Sequence, residues 1–188
     1  MTDFILSNEV SAYTYVQGCC CMKKSLVFWQ TVGFVFTSIV GTLLHFLYNW
    51  SGQNFVVGLF SAVNESIWEH MKLLYFPMLV FALFERRYIK SDKFWCAKLI
   101  GIVTGLMLIP VLYYTYTGAL GLSKDWVNIA IFFISVFITY LLETKLIKSE
   151  KEFCFSPTAC VFVFVSIGVI FVALTISPLD IPLFLPPD

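Results

Sequence analysis

Four ionisable side chains crowd the segment Asn64-Glu65-Ser66-Ile67-Trp68-Glu69-His70-Met71-Lys72, at the threshold of a long apolar run. In hydrocarbon each would cost roughly 2.5–3.5 kcal/mol at the bilayer centre and less toward the edge. On a helix, Glu65, Glu69 and Lys72 fall at i, i+4 and i+7 on one stripe, with His70 beside them above Ser66. The preceding apolar run, Ser25 to Tyr48, carries the one other histidine, His45, three residues before Tyr48. Two imidazoles and two carboxylates at one depth are a donor set for a divalent metal such as zinc, with His45, His70, Glu65 and Glu69 as ligands. Such a metal activates water, which makes Glu69 and His70 the catalytic candidates.

The same groups have two metal-free uses. As a hydrogen-bonded network, His45, Tyr48, Asn64, Glu65, Glu69, His70 and Lys72 would bind a small polar ligand or a lipid head group. As plain architecture, Glu65 and Glu69 would complement a helix N-terminus, Lys72 would pair with Glu69, and His70 would face head groups. The spacing is not the His-Glu-x-x-His of the zinc proteases.

These residues need a scaffold, and composition names its class. The 188 residues are 59% hydrophobic, 18% aromatic and 13% charged, with a mean hydropathy of +0.84. A soluble domain carries roughly 25% charge to cover its core. The deficit predicts an all-α, polytopic transmembrane bundle of about five spans, with helices near 25–48, 67–85, 99–117, 126–147 and 157–176. A formal net charge of +0 excludes the dense basic face that nucleic acid requires.

Between these helices the chain is polar or turn-forming. Residues 51–63 suit an interfacial or re-entrant segment, and Ser66-x-x-Glu69 matches a capping box. Residues 86–98 form a polar loop, and 118–125 a tight turn. Pro110 predicts a kink, and Tyr113, Tyr114 and Tyr116 an interfacial belt. The tail, 177–188, is too rich in proline for a helix and predicts an extended strap, with Asp180 placed to act as a lid. Residues 1–24 lack the basic start and apolar core of a cleaved signal, so they are expected as a cytoplasmic segment ahead of an uncleaved anchor.

Orientation follows from lysine and arginine. With the N-terminus in the cytoplasm, the inner segments hold Lys23, Lys24, Arg86, Arg87, Lys90, Lys93, Lys98, Lys145, Lys148 and Lys151, whereas the outer ones hold Lys124 and Lys72. The C-terminus then lies outside, and His45 and His70 share the outer side. Cys19, Cys20, Cys21, Cys96, Cys154 and Cys160 fall at the inner face, where thiols are expected to be reduced. The Cys19-Cys20-Cys21 run suits a tolerated reduced patch better than palmitoylation or a soft metal. Glu85 is expected to pair with Arg86 or Arg87, Glu143 to sit beside Lys145, and Gly101-x-x-x-Gly105 to offer a packing face.

The Asn64-Glu65-Ser66-Ile67-Trp68-Glu69-His70-Met71-Lys72 core, with His45 upstream and Ile181-Pro182-Leu183-Phe184 downstream, resembles a family of small multi-pass membrane proteins of unknown function from Firmicutes-type bacteria. That resemblance implies a bacterial cell-membrane location and supplies no substrate. Three functions stay open: a membrane protein binding a small solute or lipid at the His/Glu/Lys site, a membrane-embedded metal-dependent or acid–base hydrolase of a lipid or envelope substrate, and a structural or accessory subunit of an oligomer or membrane complex.

Overall fold

The structure, a computed structural model, describes the backbone of residues 2–154 and 156–186, and side chains from residue 25 onward within those ranges. The expectations for Cys19, Cys20, Cys21, Lys23 and Lys24 therefore lie outside the described side chains. The elements are α1 (Thr2–Trp50), α2 (Phe55–Gly58), α3 (Ile67–Glu85), α4 (Phe94–Leu120), α5 (Asp125–Lys148) and α6 (Pro157–Ile176). No strand occurs among the described residues. Five helical stretches are long and apolar enough to cross a membrane: Ser25–Trp50 of α1, and all of α3, α4, α5 and α6. A helix satisfies every backbone donor within its own segment, which is what a lipid environment demands of a single span.

α3 is the centre of the bundle. In its most apolar window 67% of residues are buried, against 17% for α6, so α3 is enclosed by protein while α6 offers its surface to lipid. α1 packs on α3 and α5, α4 packs on α5 and α6, and α3 also meets α4. Gly101 and Gly105 make the α4–α5 approach possible. A Cβ at Gly101 would meet the Glu143 side chain at 2.5 Å, and one at Gly105 would collide with Thr139 Oγ1. The glycine pair is thus a packing face within the chain.

The entry to α3 differs from a full capping box. Ser66 Oγ accepts from Glu69 N at 3.4 Å, but the Glu69 carboxylate reaches Val63 N at 2.8 Å, and Ser66 N donates to Asn64 Oδ1 at 2.9 Å instead. The stretch before it holds α2, a single turn capped by Asn54, whose Oδ1 accepts from Val56 N and Val57 N. Beyond α6, residues 177–186 contain no helix. Trp68 N donates to Leu183 O at 3.0 Å, and the Phe184 ring stacks on Trp68 with centroids 4.6 Å apart. That contact ties the tail to the start of α3. Asp180 is exposed and does not line the cavity described below; Pro186 is the tail residue that reaches it.

At the opposite end four expectations are corrected. Glu85 does not pair with Arg86 or Arg87: it is fully buried against Lys98 Nζ at 2.6 Å, while Arg86 Nη1 donates to Ile89 O at 2.9 Å. Glu143 likewise turns inward to Lys98 Nζ at 2.6 Å, away from exposed Lys145. α4 begins at Phe94, earlier than expected, and this carries Lys98 into the helix and the core. Finally, Cys96 and Cys154 are joined by a disulfide rather than reduced. The start of α4 and the segment ahead of α6 meet there with Cα atoms 5.6 Å apart, within bridging range.

Candidate functional site

His45 lies near the end of α1, Glu65 in the loop ahead of α3, and His70 in the first turns of α3. α1 and α3 run side by side, and the Asn64–Ser66 turn folds Glu65 back over both imidazoles. His45 Nε2 stands 3.4 Å from Glu65 Oε1, and His70 Nε2 stands 3.8 Å from Glu65 Oε2. The two imidazole centroids are 5.4 Å apart, and one donor atom from each residue falls within 4.8 Å of the others. Tetrahedral zinc with bonds of about 2.0–2.1 Å separates its ligand atoms by about 3.3 Å. The carboxylate–imidazole separations already approach that value.

His70 is also oriented for ligation. Its Nδ1 lies 2.9 Å from the Ser66 carbonyl oxygen, which can only accept. Nδ1 therefore carries a hydrogen, which leaves Nε2, 3.8 Å from Glu65 Oε2, as the nitrogen available to a metal. A second ring nitrogen fixed by a backbone carbonyl is the usual support of a metal-binding histidine. The same bond tethers the ring to the helix start that Ser66 caps.

Beside this cluster opens a cavity of about 610 Å³. Its polar rim is His45, Glu65, His70, Asp125 and Asn128, and its walls include Phe132 and Ile129. A Cβ at Gly41 would meet the Phe132 ring at 2.6 Å, so glycine on α1 gives that wall its place. The volume and the mixture of apolar walls with a few convergent polar groups are those of a small-molecule site.

The other expected site residues go elsewhere. Glu69 and Lys72 pair with each other at 2.7 Å. Lys72 Nζ also donates to Gly58 O and to Thr175 Oγ1, each at 3.0 Å, so all three ammonium hydrogens are used. This pair fastens α2 and α6 to α3. Tyr48 packs its ring against Gly58, and Asn64 is occupied by its turn. The i, i+4, i+7 stripe fails because Glu65 precedes the helix: only Glu69 and Lys72 share its face. Asp125 and Asn128 were missed, lying at the start of α5 where nothing in the sequence pattern links them to the histidines.

A second polar centre escaped sequence reasoning altogether. Gln30, Glu85, Lys98 and Glu143 converge from α1, α3, α4 and α5, with Gln30 Nε2 donating to Glu85 Oε1 at 2.8 Å. The signal available was Ser135, Thr139 and Glu143 at i, i+4 and i+8 on one face of α5.

Fold and site together define a multi-span helical bundle with a histidine–carboxylate cluster opening on an amphipathic cavity at one end. The chain belongs to a family of unknown function, DUF6512, whose model matches residues 20–187. No curated protein and no solved structure matches it.

Proposed function

We propose that this protein spans the bacterial cell membrane with its N-terminus in the cytoplasm, and that His45, Glu65 and His70 hold a divalent transition metal, zinc above all, on its outer side. The bound metal would anchor the polar head of a lipid or small amphiphile whose apolar part fills the cavity beside Phe132. The observation that carries this reading is the convergence of three donors from α1, the loop and α3, with His70 Nδ1 engaged by Ser66 O. The orientation rests on the lysines and arginines gathered at the Glu85 end of the bundle. The cysteines no longer support it, because Cys96 and Cys154 are joined.

Cobalt(II) titration of the purified, chelator-treated protein tests the site. One equivalent should give a tetrahedral d–d spectrum, displaced by zinc, and His45→Ala and His70→Ala should each lose it. Absence of that spectrum in the wild-type protein would refute the metal. A hydrolytic reading is favoured by one feature: three protein ligands leave a fourth position for water. Asp125, on the cavity rim, is then the nearby candidate base. Asp125→Asn should keep the metal and abolish turnover of a lipid ester or phosphoester; turnover that persists excludes that role.

A further inference from the structure

The Glu85 end of the bundle holds ionisable groups that the proposed metal site does not use. Glu85 and Glu143 are 0% exposed, Lys98 1% and Gln30 4%. Two carboxylates face one ammonium, which leaves one negative charge uncompensated. Three acceptor oxygens there, Gln30 Oε1, Glu85 Oε2 and Glu143 Oε1, accept no hydrogen bond, although Glu85 Oε2 is ion-paired with Lys98 Nζ at 2.6 Å. Among the described residues, no further cation faces the cluster. Arg86 is turned to Ile89 O, Lys145 is exposed, and α6 contains no charged residue. One proton on the Glu143 carboxyl cancels the excess charge and supplies a missing donor.

The cluster does not end blindly. The Lys98 ammonium lies 4.9 Å from the centre of the Tyr140 ring, and Tyr140 Oη is 2.9 Å from Thr37 Oγ1 on α1. Next to these, Ser38 Oγ and Ser135 Oγ are buried without partners, and Thr139 is fully buried. One helical turn beyond Thr37 and Ser38 come Gly41 and Thr42, which line the cavity, and one turn before Ser135 comes Phe132 in its wall. Five hydroxyls thus occupy the middle of the bundle between two sets of titratable groups. Buried ionisable groups within membrane helices mark ion and proton routes.

We infer that Gln30, Glu85, Lys98 and Glu143 form a proton-binding station, joined through Tyr140 and Thr37 to the cavity at the His45 end, and that the protein conducts protons between the two. Uptake at the Glu85 end forms the Glu143 O–H bond. Release toward the cavity breaks it, restores the carboxylate and passes the proton to solvent in the cavity, with no electron transferred. The inference uses the cavity but not a metal.

Chelator-treated protein in liposomes with a trapped pH dye tests it, under a potassium diffusion potential set by valinomycin. Wild-type vesicles should change internal pH severalfold faster than protein-free ones. Glu143→Gln, which mimics the protonated carboxyl in shape and charge, should fall to the protein-free rate. Tyr140→Phe keeps the ring beside Lys98 and removes the hydroxyl, so it should slow the flux severalfold even if Glu143→Gln fails to fold. Wild-type vesicles no faster than protein-free ones, or a Tyr140→Phe variant as fast as wild type, would overturn the relay. Failure of the flux with cobalt binding intact leaves the metal site standing; the reverse result removes the metal alone.

Discussion

Replacing Lys98 with methionine isolates the energetics of the buried charge cluster. The ammonium stands 2.6 Å from an oxygen of each of Glu85 and Glu143 and is 1% exposed. At an effective dielectric of about 20, a unit-charge pair at 2.6 Å attracts by about 6 kcal/mol before desolvation is subtracted. Methionine fills much the same volume, so packing changes little. What changes is that Glu85 keeps a single donor, Gln30 Nε2 at 2.8 Å, and Glu143 loses its cation. Removing one member of a buried ion pair costs about 3–5 kcal/mol, chiefly from the charge left behind. Lys98→Met should therefore lower unfolding free energy by that amount, measured by denaturation with sodium dodecyl sulfate in mixed micelles. Adding Glu85→Gln to Lys98→Met should recover most of the loss, since it removes the stranded carboxylate. A loss under about 1 kcal/mol, or no recovery in the double variant, would refute the assignment of a desolvated ion pair.

Three further outcomes follow from the geometry. Gly105→Val drives a side chain into Thr139 and should cost about 1–3 kcal/mol, read by the same denaturation and by loss of cross-linking between α4 and α5. Phe184→Ala removes the ring stacked on Trp68 and should cost about 3 kcal/mol, with the tail after Ile176 becoming open to limited proteolysis. Cobalt bound at His45 and His70 should hold at neutral pH and be released on acidification, because a protonated imidazole has no lone pair for the metal. Its absorbance followed against pH reads this directly.

Local chemistry made some of this legible. The apolar runs announced the five membrane-length helices, because a span must be uniformly apolar for about 20 residues whatever its neighbours do. Ser66 announced the start of α3, because a cap needs only the backbone amides that follow it. His45 and His70 stood out because so few groups in an apolar chain can ligate or exchange protons. Glu85 and Glu143 were misplaced for the converse reason: their nearest neighbours in sequence are basic, whereas their partner, Lys98, is on another helix.

The sequence by itself determined where the membrane-length apolar runs lie and which few residues have chemistry to offer, since both follow from side-chain type and short-range order along the chain. Only the tertiary structure decided how those residues are divided. It set Glu65 with the two histidines, sent Glu69 and Lys72 to fasten α2 and α6, and gathered Gln30, Glu85, Lys98 and Glu143 at the opposite end. A pairing between helices depends on which faces they turn toward each other. In a chain apolar on every side, hydropathy carries almost no record of that choice.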